Sequence, residues 1–201
     1  TTVIDKIKTI HDCVYQHERY ILILSSRDDL AVDKVKDIRD ELETNAALIR
    51  VYGPQVGALW NIDDFITALG VRVRGAARGS QVRGLLWGKT RVSKILLDDA
   101  DNSVLVLTER QREKTWNWYA EDISKLGDET TNIEAIGTLL HENALLARLL
   151  RNPGYRHRRY QAVLSFADAT AVPLWQEWRE IFLDLDNPMH QEDARAFFEA
   201  H

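Results

Sequence analysis

The segment Lys94-Ile95-Leu96-Leu97-Asp98-Asp99 constrains the fold more than any other: four consecutive apolar or stem-apolar positions end in two adjacent carboxylates. An apolar run this short reads as a strand buried on both faces, and such strands belong to parallel sheets. Acids at its C-terminal tip stand where open parallel sheets present their ligands. Upstream, residues 72 to 94 hold seven Arg or Lys and no Asp or Glu, although the chain carries a net charge of −5. A local charge reversal of this kind predicts a surface for phosphate, of a nucleotide or of DNA.

The rest of the chain supplies the partners such a strand needs. Residues 2–15 are expected to be helical, with Val3, Ile7, Ile10 and Val14 on one face. Arg19 to Ser26 reads as a second buried strand, and Asp28 to Glu43 as a helix turning Ala31, Val35, Ile38 and Leu42 inward. Phe65 to Val73 reads as strand, with a possible hairpin at Leu69-Gly70. Glycines 75, 79, 84 and 88 mark the basic stretch as loop. Helices are expected over 111–126, 142–150, 173–183 and 192–200, and strands over 132–137 and 160–166. Strands alternating with helices predict one α/β domain, its mainly parallel sheet covered on both faces. A single cysteine, Cys13, excludes an internal disulfide, and no apolar run reaches membrane-spanning length.

Three constellations carry possible chemistry. Asp98 and Asp99 could hold a cation and orient water, or simply make a solvated turn or helix cap. Ile136-Gly137-Thr138 ends the next strand with a glycine that permits close approach and a hydroxyl suited to phosphate. Arg83 lies on the Gly-flanked loop Gln81-Val82-Arg83-Gly84 and could fork onto phosphate oxygens, whereas Arg78, Lys89 and Arg91 read as a solvated basic loop. The six histidines show no metal-ligand spacing, so His11-Asp12-Cys13 reads as structural. Trp116, Trp118, Trp175 and Trp178 read as packing anchors. Gly88-Lys89-Thr90 has the tail of a phosphate-loop motif but precedes a strand, and no G-x-x-x-x-G-K-[ST] occurs in these residues.

The ordered set Tyr20-Ile21-Leu22-Ile23-Leu24-Ser25-Ser26, Val82-Arg83-Gly84-Leu85 and Ile95-Leu96-Leu97-Asp98-Asp99 resembles the ATPase domain of the large terminase subunit of tailed bacteriophages. Glu109-Arg110-Gln111-Arg112, Ile136-Gly137-Thr138-Leu139-Leu140-His141, Leu174-Trp175-Gln176-Glu177-Trp178 and Ala194-Arg195-Ala196-Phe197-Phe198 extend the resemblance over nearly the whole chain. It implies a P-loop NTPase sheet of the RecA/ASCE type and a motor that hydrolyses ATP with Mg²⁺ to drive double-stranded DNA into a procapsid. Asp98 matches the Walker B acid that holds the metal. Asp99, with Asp101 as an alternative, matches the catalytic carboxylate. Gly137 and Thr138 match the coupling motif, and Arg83 an arginine finger. Thr1 and Thr2 match the hydroxyl residues that follow the Walker A lysine, so the chain is expected to be a fragment lacking that loop and the nuclease domain. The implied partners are the small terminase subunit, the portal protein and further copies in a ring, with no membrane, in the cytoplasm of an infected bacterium. Another P-loop DNA translocase or helicase, or a degenerate ATPase fold acting as a nucleic-acid or assembly module, remains open.

Overall fold

The computed structural model describes residues 3–161 and 171–201, which divide into two compact units, 1–156 and 157–201. The first unit is α/β. Its six-stranded sheet has the order β2-β3-β4-β1-β7-β8, formed by β1 (Tyr20–Ser25), β2 (Val56–Trp60), β3 (Asp64–Thr67), β4 (Arg72–Ala77), β7 (Lys94–Asp98) and β8 (Asn132–Ile136). A separate two-stranded ribbon pairs β5 (Leu86–Trp87) with β6 (Thr90–Arg91). β4, β1, β7 and β8 run parallel, while β3 is antiparallel to both its neighbours.

The two central strands are continuous apolar runs because both sheet faces are covered. Along β1, Tyr20, Leu22 and Leu24 face a core completed by Trp118, Tyr119, Ile123, Leu145 and Leu149. These come from α4 (Glu109–Trp118), the π-helical turn Tyr119–Ile123 that continues it, and α5 (Leu145–Arg151). Ile21 and Ile23 face a second core with Val35, Ile38 and Leu42 of α2 (Asp28–Thr44) and Ile10, Cys13 and Val14 of α1 (Thr9–Val14). The expected inward face of α2 is therefore the observed one. Asn45 then caps α3 (Ala46–Tyr52), its side-chain oxygen accepting from the amides of Ala47 and Leu48.

Several expectations are corrected. Val3 and Ile7 point outward, because residues 3–8 form a wide π-helical run whose buried side chain is Asp5. The wider turn breaks the 3.6-residue period on which the apolar stripe was read. The hairpin read at Leu69-Gly70 is present, β3 and β4 being antiparallel and joined by a turn at Gly70, with φ +77°. The loop expected around Gly75 is the middle of β4. Its glycine is required by packing: an added Cβ would lie 2.9 Å from the Ala31 carbonyl oxygen and 3.0 Å from Val35 Cγ2 on α2. Gly75→Ala should therefore cost about 1–3 kcal/mol, the scale of forced overpacking, read as a lower urea midpoint with unchanged slope. Strand β2 and helix α3 had no counterpart in the sequence reading. Of the expected strand 160–166, Tyr160 and Gln161 are not in a strand, and residues 162–166 lie outside the described residues.

The fold divides the basic stretch, drawing Arg72 and Lys94 into ion pairs and leaving Arg83, Lys89 and Arg91 exposed. Arg72 makes two hydrogen bonds to Asp64, at 2.8 and 2.6 Å, and lies over the Tyr20 ring. Lys94 is fully buried and pairs with Asp12 at 2.6 Å. Lys89 and Arg91, read as solvated, are exposed.

In the second unit, α6 (Val172–Leu183) and α7 (His190–Ala200) pack as a helix pair. Trp175 contacts Trp178 and Phe198, and Trp178 stacks on Phe182. Trp175 is nonetheless about half exposed, at 47 %. No described helix is long and apolar enough to cross a membrane.

Candidate functional site at the C-terminal edge of the sheet

The chain leaves β1 through α2 and α3 to β2 at one edge of the sheet, returns through β3 to β4 beside β1, and then places β7 on the other side of β1. The strand order reverses between β1 and β7, and ligand crevices of open α/β sheets form outside the strand ends at such a point. Register puts Ala77, Ser25, Asp98 and Ile136 in a row across the four parallel strands at this edge.

Asp98 is buried and shares a sheet face with Leu96, the face covered by α1 and α2. Its Oδ2 lies 3.0 Å from Lys34 Nζ, which is also 2.8 Å from Asp5 Oδ2. One lysine thus bridges two buried carboxylates. Burial works against the Lys34 ammonium, but its bonds to Asp5 and Asp98 outweigh that and hold its pKa above the ordinary lysine value. Burial pushes the Asp5 pKa up; the hydrogen bond from Lys34 opposes the rise and the Asp98 charge adds to it. Asp5 Oδ1, Ser25 Oγ and Asp98 Oδ1 are all buried without a hydrogen-bond partner. Buried polar atoms are rarely left so, because each forfeits its hydration. These hard oxygen donors, two of them anionic, fit a divalent cation such as Mg²⁺ by chemistry. Sequence reasoning missed Asp5 and Lys34, whose helical spacing placed neither beside the β7 tip.

Asp99 follows the strand and turns out of it, with φ +45° and its amide donating to the Ile136 carbonyl at 3.0 Å. Left-handed backbone at a non-glycine residue is uncommon, and Asp is among the types that tolerate it. Gly137 faces it: a Cβ there would stand 3.0 Å from Asp99 Oδ1 and 3.7 Å from Leu146 Cδ2. Asp99, Gly137, Thr138 and Asp101 line one small cavity of about 20 Å³, room for about one water. The two strand ends are neighbours, with Asp99, Gly137 and Thr138 exposed to solvent around this cavity; Asp98 does not line it, its side chain being buried on the α1 and α2 side of the sheet.

Asp101 has a separate task. α5 starts at Ala144 with no side-chain cap of its own, and Asp101 Oδ2 accepts from the Leu146 amide at 3.3 Å. Burial raises the Asp101 pKa despite this bond and the nearby Arg78 charge. A carboxylate whose folded pKa lies above its unfolded value lowers stability as pH rises from about 3.8 through the folded value. Asp101→Asn should therefore raise the melting temperature at neutral pH, with the gain vanishing below the unfolded pKa; paired thermal melts at acid and neutral pH check it. Among the described residues nothing comparable ties up the Asp99 side chain.

Arg83 is not among the residues lining this cavity. It is an exposed side chain paired with Asp122 and, at 3.9 Å, with Glu121. Arg78, read from sequence as solvated, is half-buried at the end of β4, where its amide donates to the Ser25 carbonyl at 2.8 Å and its guanidinium to Thr115 Oγ1. Burial lowers its pKa, and the Asp101 charge works the other way. Thr1 and Thr2 lie outside the described residues. His11, Asp12 and His17 form a separate cluster near the start of β7. No model of a known protein family matches the sequence, and neither does any curated protein.

Proposed function

We propose that this chain is the ATP-hydrolysing motor domain of a phage DNA-packaging terminase, driving double-stranded DNA into a procapsid. The observation that carries the reading is Asp98 at the tip of a central parallel strand, beside the switch point, with an unpaired buried oxygen next to Ser25. The P-loop assignment of the sheet, of the RecA/ASCE type, rests on the same placement and on the resemblance of the motifs. In this reading Asp98, with Ser25 beside it, would hold Mg²⁺. Such an ion would supply neutralisation of the charge that develops during phosphoryl transfer. Asp99 would orient the attacking water, supported by its exposure and by the water-sized cavity it shares with Gly137 and Thr138. Gly137 and Thr138 would couple nucleotide state to movement, and Thr1 and Thr2 would meet the phosphates. Arg83, 66 % exposed, suits an arginine finger offered to a neighbouring copy in a homo-oligomeric ring. The small terminase subunit and the portal protein would be further partners, and the cytoplasm of the infected bacterium the setting.

The test is Mg-ATP turnover by the full-length gene product, with and without double-stranded DNA. DNA-stimulated turnover that disappears in Asp98→Asn and Asp99→Asn variants supports the motor. Turnover with strand unwinding and no packaging partner would favour another P-loop translocase or helicase. A second reading, a non-catalytic ATPase-fold assembly module, is favoured by Lys34, whose ammonium already sits where Asp98 would meet a cation. Absence of turnover under every condition would select it.

A further inference from the structure

We infer that His11, Asp12 and His17 bind one borderline divalent transition-metal ion, Zn²⁺ by ligand chemistry, at the sheet edge opposite Asp98. The inference is independent of the ATPase reading. Spacing of 11, 12 and 17 matches no helical face, and the turn that ends α1 is what gathers the three. Tyr15 N donates to the His11 carbonyl and Gln16 N to that of Cys13; Gln16 then adopts φ +55°, and His17 N returns to the Asp12 carbonyl at 3.1 Å. Left-handed backbone at glutamine is unfavourable, and such strain concentrates at functional positions. Here it folds His17 back over the helix end.

The three ligand atoms lie within 4.8 Å of one another. His11 Nδ1 and His17 Nδ1 stand 3.8 and 3.9 Å from Asp12 Oδ1. Metal bonds of about 2.0–2.1 Å at tetrahedral angles separate ligand atoms by roughly 3.3 Å, so small side-chain rotations close the set. Asp12 is pre-oriented: it is buried, and Lys94 Nζ holds its Oδ2 at 2.6 Å, leaving Oδ1 toward the imidazoles. The rings are braced as well. His11 lies 4.6 Å from the Tyr15 ring and His17 stacks on it at 5.7 Å, with the two imidazoles 5.0 Å apart. Two neutral nitrogens and one carboxylate oxygen select Zn²⁺ and its neighbours over Mg²⁺, which prefers oxygen throughout. Three protein ligands leave a fourth position for water. Lys94 and Asp98 are the two ends of β7, so this site lies about 13 Å along the strand from Asp98, at about 3.3 Å per residue.

The experiment is calorimetric titration of the untagged protein with Zn²⁺, with Co²⁺ absorption reporting the ligand set. The expected result is one ion per chain with a micromolar or tighter dissociation constant. His11→Ala and His17→Ala should each weaken it about tenfold or more. Both side chains are at least half exposed, at 50 % and 57 %, so the variants should keep the wild-type circular dichroism spectrum. Millimolar affinity, or Zn²⁺ binding that neither substitution changes, overturns the assignment.

Discussion

If the chain is the motor proposed above, Asp98→Asn should lower Mg-ATP turnover by at least about 10²-fold, the scale of losing one preorganised charge-stabilising group, while leaving the fold at least as stable as wild type. The two halves of this result come from the same cluster. Asp98 shares the Lys34 ammonium with Asp5, and the two carboxylates repel each other. Removing one negative charge leaves Lys34 paired at 2.8 Å with Asp5 and removes the repulsion. The amide also fits the carboxylate's space. A variant that melts no earlier than wild type but no longer turns over ATP therefore identifies Asp98 as functional. If turnover persists, the pair at the β7 tip is a structural turn, and the motor assignment loses its main support. Steady-state turnover and thermal melts on the same preparations measure both halves.

Asp12→Ala should be the most destabilising single change at the other end of β7. Lys94 has no exposed side-chain surface, and Asp12 is its near partner at 2.6 Å. Truncating Asp12 strands a buried ammonium, which typically costs about 3–5 kcal/mol. Glu134 Oε2, 3.4 Å from Lys94 Nζ, offers partial compensation and points to the lower end of that range. In a chain of this size the melting temperature should fall by roughly 10 °C. Asp12→Ala combined with Lys94→Met should recover much of the loss, because an apolar pair carries no desolvation penalty. Denaturant titrations in the presence of a chelator separate this ion pair from any metal held by Asp12. Additive losses would show that the two side chains do not act as a pair.

Much of the fold was legible from local pattern. The runs at 20–25 and 94–98 are apolar on consecutive positions, which only a strand covered on both faces needs, and both are central strands. The inward stripe of α2 follows the helical period and was read correctly, residue by residue. The placing of Asp98 and Asp99 at the C-terminal edge, near Gly137 and Thr138, followed from the strand ends alone. Where the period itself changed, pattern failed: the π-helical turns at 3–8 moved Val3 and Ile7 outward and Asp5 inward. Gly75 was misread for the complementary reason, since a glycine required by a helix crossing a strand looks in sequence like a glycine required by a turn.

The sequence by itself determined that residues 20–25 and 94–98 are buried strands, which face of α2 covers the sheet and which residues end β7 and β8, because these are periodic or nearest-neighbour properties of the chain. Only the tertiary structure decided what surrounds those residues. It joined Asp5 and Lys34 to Asp98 across 93 and 64 positions of sequence, committed Asp101 to capping α5, sent Arg83 to Asp122, and consumed Lys94 in a buried pair. Electrostatic partners are chosen by proximity in space after packing, and charge carries no periodicity from which that proximity could be read. The same holds for His17, which a single left-handed residue returns to His11 and Asp12.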